Sequence, residues 1–374
     1  MVVALAALSD QAINRATLDR QLLLERTVRP AAATIEHLVG MQAQAPRAPF
    51  VGLWTRLVDF DPAELDELME SRQAVRASLM RGTVHLVTAR DCLAMRPTLR
   101  PVLDRAHSAG PFRRRIEGVD LDELVAAGRA LLDEAPRTRA ELGQLLSARW
   151  PGRDPTALAH AVGFLVPQVQ VPPRGTWTGG GPVRWATNAS WLGADADAGP
   201  AELTVDDVLL RYLGAFGPAT VMDAQAWCGL TRLGEVSTRL GRRLRRFRDS
   251  DGRELLDLPS APRPDPDTPA PPRFLPEYDN LLLSYADRSR VVPDGRGVPL
   301  WPGHGGVRGE VLVDGRWAAN WEIARAASGA ATLTVEPFER LARRDVAAVS
   351  AEGVALLAWA APGSTPDVRV LPPA

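Results

Sequence analysis

The chain contains no lysine; all 44 of its basic residues are arginine. The plainest source of that bias is a GC-rich coding sequence, yet one chemical consequence holds whatever the cause. Covalent amine catalysis through a Schiff base has no lysine side chain to use and is left only to the N-terminus. Cysteine is scarce too. Cys92 and Cys228 build no disulfide framework and fit a reducing compartment. Two thiols and five scattered histidines (His37, His85, His107, His160, His304) offer no metal-ligand spacing. Long apolar runs are missing as well. Met1 to Leu8 is followed by Ser9 and Asp10, lacks a basic flank, and is far below the roughly 20 residues that span a membrane. These absences predict a cytoplasmic chain with no signal peptide, membrane span, metal or cofactor.

What is present is ordinary in bulk. Of 374 residues, 45% are apolar and 24% charged, enough for two to four domains with full cores. The net charge of −1 does not mark the whole molecule as a nucleic-acid binder, so any basic surface must be local.

Periodicity divides the chain. In the first unit, residues 1–105, Ile13, Leu18, Leu22, Leu23 and Val28 follow helical spacing to Pro30. Further helices are predicted over Thr34 to Met41, with Thr34 as cap, over Phe50 to Val58, and after Asp61-Pro62 with a solvated acidic face of Glu64, Asp66, Glu67 and Glu70. Ala77 to Thr88 reads as a strand broken at Gly82. In the second unit, 106–200, Thr138-Arg-Ala-Glu141 fits a capping box, an apolar helix covers Thr156 to Val166, and Val169 to Ala186 reads as a hairpin. The third, 201–258, repeats that order of helix, helix and wing-like strand, the shape of a winged helix-turn-helix. A proline-dominated linker fills 259–273. Residues 274–374 turn β-rich, with an Asp314-Gly315 hairpin, strands over Ala331 to Val335 and Gly353 to Ala360, and a helix near Pro337 to Ala351.

Four stretches carry polar groups in unusual company. Met41-Gln42-Ala-Gln44-Ala-Pro46-Arg47 leaves a helix with two amides two residues apart; by itself this is also what a capped helix end and a proline loop look like. Arg81, Thr83 and His85 alternate, so one strand would present all three on one face, either as a site or as an edge meeting water. Arg232 to Arg248 holds seven arginines against Glu235 and reads as one recognition-type helix, on which Arg239, Arg242, Arg243 and Arg246 share a face fit for phosphates, for solvent or for acidic partners elsewhere in the chain. Arg113 to Arg115 form a second basic cluster. The fourth stretch, Phe274 to Arg290, is dense in polar groups beside an apolar leucine run and has no evident chemistry; a helix docking the C-terminal region is its plain reading.

Together these stretches and the Leu312-Val-Asp-Gly-Arg-Trp317 hairpin resemble, in order and spacing, the winged-helix crosslink DNA glycosylases of the azinomycin-resistance type. The resemblance spans nearly the whole chain. It implies an α+β fold of three tandem winged-helix units, residues 1–105, 106–200 and 201–258, with a C-terminal β-barrel-like domain around a basic channel. It implies a monomer acting on duplex DNA with alkylated purines, away from membranes. It makes Gln42 and Gln44 the catalytic pair, with Arg47, Arg81, Thr83, His85, Arg239, Arg242, Arg243 and Arg246 as candidate DNA contacts. The activity implied is monofunctional hydrolysis of the N-glycosidic bond of N7-alkylated purines, bulky natural-product adducts and interstrand crosslinks included. The competing reading is a non-enzymatic winged-helix regulator, whose sign would be a ligand domain or dimerisation helix beside one recognition helix.

Overall fold

A computed structural model describes residues 5–193, 201–293, 296–298, 308–326 and 329–373. The apolar start at Met1 to Ala4, and with it the N-terminal amine, lies outside them. The architecture is mixed α+β. A six-stranded sheet runs, in spatial order, Met41–Gln42, Val84–Thr88, Ala74–Ser78, Gln168–Val171, Arg184–Thr187 and Arg137–Thr138. It therefore joins the chain before residue 105 to the chain after it. No helix among the described residues is long and apolar enough to cross a membrane.

The two faces of this sheet bury against different parts of the molecule, because side chains alternate along each strand. Val75, Ala77, Val87, Val169 and Ala186 pack into one core with Tyr212, Phe216 and Trp227. Ala74, Leu86, Met41 and Ala43 pack into another with Phe50, Leu53 and the C-terminal strands. A third core fills the helices around Leu124, Leu142, Leu158 and Val162.

Local signals set many of the elements. The helix Arg139–Arg149 starts with the expected capping box, in which Thr138 and Glu141 exchange bonds of 2.7 and 3.2 Å. Asp61 caps the helix Pro62–Glu70. Two members of that helix's acidic face are not simply solvated: Glu64 accepts from the Ala31 amide and Asp66 from the Trp177 amide. The helices Val205–Phe216, Val221–Cys228 and Leu233–Leu240 lead into the hairpin Arg245–Arg248/Glu254–Asp257. The proline-rich 259–273 segment crosses the surface and is held there, Arg263 pairing with Asp257 and Pro262 accepting from Arg20.

Several expectations are corrected. The helix expected over Thr34 to Met41 is Ala31–His37. It ends in Val39 and Gly40, both at positive φ, so Met41 begins a strand and Thr34 lies inside the helix. Gly353 to Ala360 is not a strand. It continues the helix Arg343–Ala360, whose Val349, Gly353, Leu356, Leu357 and Ala360 recur at helical spacing on the buried side. Among the described residues the C-terminal region does not close into a barrel. Its strands form an open five-stranded sheet in the order Asp367–Val370, Ala331–Pro337, Arg316–Arg325, Gly309–Val313, Arg273–Leu275. The Asp314-Gly315 turn between two of these strands is as expected, with φ of 47° and 76°.

Candidate active site

The chain entering Gln44 is held through Gly40, Met41, Gln42 and Ala43. Gly40 has φ +89°, and a Cβ there would stand 2.7 Å from Val87, so the sharp exit from the preceding helix needs glycine. Its carbonyl accepts from Asn280 Nδ2 at 3.0 Å. Met41 and Gln42 pair with Leu86 and His85 across the sheet. The Ala43 amide donates to the Val84 carbonyl at 2.8 Å, and the Ala43 carbonyl accepts from Arg76 at 2.6 Å. Gln42 is thereby aimed from a fixed strand, and Gln44 follows directly from it.

Those side chains converge. Gln42 is buried and Gln44 exposed. Gln42 Nε2 donates to Gln44 Oε1 at 2.6 Å. Arg81 Nη2 donates to Gln42 Oε1 at 2.7 Å, and Arg81 Nη1 to the Trp227 carbonyl at 2.6 Å. His85, cross-strand partner of Gln42, is fully buried. Its Nδ1 lies 2.9 Å from the Thr83 carbonyl and its Nε2 3.5 Å from Arg81. A carbonyl only accepts, so the proton sits on Nδ1 and Nε2 is bare toward the guanidinium. Burial, then the Arg81 charge, depresses the imidazole to about 3, so His85 is neutral at ordinary pH. Burial also lowers the Arg81 guanidinium to about 10, and no carboxylate pairs with it among the described residues.

Arg81, Thr83 and His85 do not project from one strand. Ala74–Ser78 and Val84–Thr88 are two antiparallel strands joined by a tight turn, Met80–Gly82. Arg81 occupies that turn at φ 56° and reaches back over His85. The Thr83 hydroxyl instead donates to the Met80 carbonyl within the turn. Arg47 is exposed and lies over the Trp177 ring, 5.1 Å from its centre. It lines a cavity of about 320 Å³ with Trp177, Glu277, Arg308 and Trp321.

The arginine-rich stretch is not one helix. Gly241, at φ +50°, stops the helix Leu233–Leu240; a tight turn carries Arg242 and Arg243, and Arg246 lies on a strand. No common helical face survives. Arg239 pairs with Asp206, and Arg246 with Glu254. Arg242 and Arg243 are exposed and have no ion pair among the described residues. Arg115 of the second cluster pairs with Asp154.

Sequence reasoning missed the supports of the site. Arg76, on the strand beside His85, is buried, and its Nε and Nη1 find no partner among the described residues. Arg56 and Asp279 form a buried two-pronged ion pair at 2.9 and 3.0 Å. Asp279 also accepts from the Leu281 amide and thereby sets the Asn280–Leu283 turn that carries Asn280 to Gly40. The Phe274 to Arg290 stretch thus braces the glutamine segment from below. Only its unusual polar density beside leucines signalled that in the sequence. Glu310 is buried near Asp279 and Glu277, and burial pushes its carboxyl well above the ordinary range. No cluster of three metal-binding side chains stands among the described residues.

A family model described as DNA glycosylase AlkZ-like matches residues 35–359. A protein of Streptomyces sahachiroi named interstrand DNA cross-link repair glycosylase is 26% identical over 359 residues, covering 90% of this chain and 92% of that one. The solved structure of the Streptomyces sahachiroi DNA glycosylase AlkZ is similar in fold, with a TM-score of 0.72 at 23% identity, covering 98% of this chain and all of the other.

Proposed function

The chain belongs to the AlkZ-like DNA glycosylase family, and from that premise we propose that it hydrolyses the N-glycosidic bond of N7-alkylated purines in duplex DNA, Gln42 and Gln44 holding the water. Membership in a family of DNA glycosylases tells against the non-enzymatic regulator. The observation that carries the assignment is the 2.6 Å contact between the two amides at a braced sheet edge, with Gln44 exposed to an incoming strand. An N7-alkylated guanine is a cation and leaves as a neutral base, so departure needs no general acid. An amide does not titrate near neutrality. Its contribution is a preset dipole and an ordered water beside the developing oxocarbenium ion.

The S. sahachiroi relative is named for repair of interstrand crosslinks, and bulky adducts and crosslinks are included in the substrate class proposed here. The units 106–200 and 201–258, each helices followed by a hairpin, are read as winged helices. Arg47, Arg242 and Arg243, all exposed, are the proposed phosphate contacts. With no lysine in the chain, only the N-terminal amine is left to form an imine with the sugar, and the activity proposed is glycosidic cleavage without strand cleavage.

A duplex carrying one N7-methylguanine, incubated with excess enzyme and then treated with alkali, tests this. Wild type yields an intact abasic strand that alkali breaks, and borohydride traps no protein on it. Gln42→Ala and Gln44→Ala each lower the single-turnover rate by about 10²-fold with the fold unchanged. Unaltered rates in both variants would remove the assignment.

A further inference from the structure

Resting on that reading of the amide pair, we infer that Arg81 is a positioning residue that fixes the polarity of the two glutamines, making Gln42 the donor and Gln44 the acceptor toward water. Guanidinium groups only donate. The atom of Gln42 that meets Arg81 at 2.7 Å is therefore its carbonyl oxygen, and its amide nitrogen is turned to Gln44. The atom of Gln44 that receives that bond is in turn its oxygen. A flip of either amide would set donor against donor or oxygen against oxygen. The orientation of both side chains thus follows from one arginine, not from the glutamines themselves.

Arg81 is placed for this task at some cost. It sits at φ 56°, a left-handed conformation that side-chain-bearing residues adopt uncommonly. Its half-buried guanidinium meets neutral acceptors only among the described residues: Gln42 Oε1, the Trp227 carbonyl and, more distantly, His85 Nε2. A cation withdrawn this far from water is normally paired with a carboxylate. Here a carboxylate would draw off the donors that the glutamine needs. The bare Nε2 of His85 completes the arrangement, because a second proton on that ring would face the guanidinium. Hydrogen bonds in a chain polarise one another, so the Arg81 charge strengthens Gln42 as a donor. A water held by the pair takes a hydrogen bond at its oxygen from Gln42 and gives one to the remaining lone pair of Gln44.

Single-turnover excision from the N7-methylguanine duplex, with DNA affinity and thermal midpoint measured on each variant, tests the role. Arg81→Met is expected to lower the rate at saturating enzyme by about 30-fold or more while Kd moves less than about threefold. Arg81→Met added to Gln42→Ala lowers the rate no further, because Arg81 acts through Gln42. Should Arg81→Met fail to fold, Arg81→Lys, which keeps a charge but cannot span both acceptors, takes its place in the same cycle. Gln42→Glu keeps the Arg81 contact but has no donor, and loses rate as far as Gln42→Ala. Gln44→Glu keeps an acceptor and stays within about tenfold of wild type. A raised Kd with an unchanged saturating rate would make Arg81 a DNA contact and end the inference, as would independent effects in the double variant or equal losses in the two Glu variants. An undiminished Gln42→Ala enzyme would instead bring down the glutamine assignment beneath it.

Discussion

Gln42-Ala-Gln44 and Arg232–Arg248 are opposites. The first is quiet as sequence, two uncharged amides among alanines, yet the fold fixes it from the sheet, from Arg76, from Asn280 and from Arg81. The second is the loudest charge signal in the chain, yet the fold scatters it over a helix, a turn and a strand, and gives several of its cations partners. Charge density in a sequence reports where cations are, not whether they share a surface. The direction of the chain after Gly241 decides that. The quiet segment gains its meaning from contacts between residues 33 to 240 positions apart, and no window of sequence holds them together.

The largest expected effect attacks the bracing of the quiet segment. Asp279→Ala leaves the Arg56 guanidinium buried without its carboxylate and releases the turn that presents Asn280 to Gly40. Removing one partner of a buried pair costs about 3–5 kcal/mol, and urea unfolding at neutral pH measures it. An exposed change of the same kind, Glu235→Ala at the 3.8 Å pair with Arg232, moves stability by less than about 0.5 kcal/mol. If the two cost the same, the glutamine segment is not braced from beneath.

How much of this was legible follows the range of the forces. The capping box at Thr138 and Glu141, the Asp61 cap and the Asp314-Gly315 turn are local, and the sequence shows them directly. The joint presence of Arg81 and His85 was legible for a partly mistaken reason. Alternation suggested one strand, whereas a left-handed residue in a tight turn folds Arg81 back over the histidine. Gly353 to Ala360 looked like a strand because apolar residues crowd there; what makes it helical is a covering position over the open C-terminal sheet. Arg56, Arg76, Asp279 and Asn280 were out of reach as site supports, because each acts through a backbone or a charge far along the chain.

A smaller effect, confined to acid, separates the buried site from the exposed stretch by pH. The unfolded chain protonates a histidine near 6.5, but folded His85 does so only near 3. Between those values the unfolded state binds more protons, so stability rises with pH up to about 6.5 and is lost as pH falls toward 3. By linkage this histidine alone removes ~3 kcal/mol between pH 7 and pH 4. His160, held at about 4, adds loss in the same direction. His85→Asn retains a donor for the Thr83 carbonyl and does not titrate. Its deficit in unfolding free energy relative to wild type should narrow as the pH drops from 7 to 4. A constant deficit would mean that His85 is not held neutral by its surroundings.

The smallest effect tests whether the loud stretch faces DNA at all. Each phosphate contact made by a cation steepens the dependence of log K on log salt by about 0.9. Arg242 and Arg243 are exposed without an ion pair among the described residues, whereas Arg239 and Arg246 are committed to Asp206 and Glu254. Replacing Arg242 and Arg243 together by Gln should therefore flatten the slope by about 2 and weaken binding at low salt. Replacing Arg239 and Arg246 changes the net charge by the same amount but removes groups already bonded to carboxylates, so its slope should stay close to wild type. Equal flattening by the two pairs would show that the ion pairs open on DNA and that the stretch acts as one surface after all. If neither pair changes the slope, the stretch lies off the DNA path, and the phosphate contacts must come from arginines nearer the glutamines, with Arg47 the first to test.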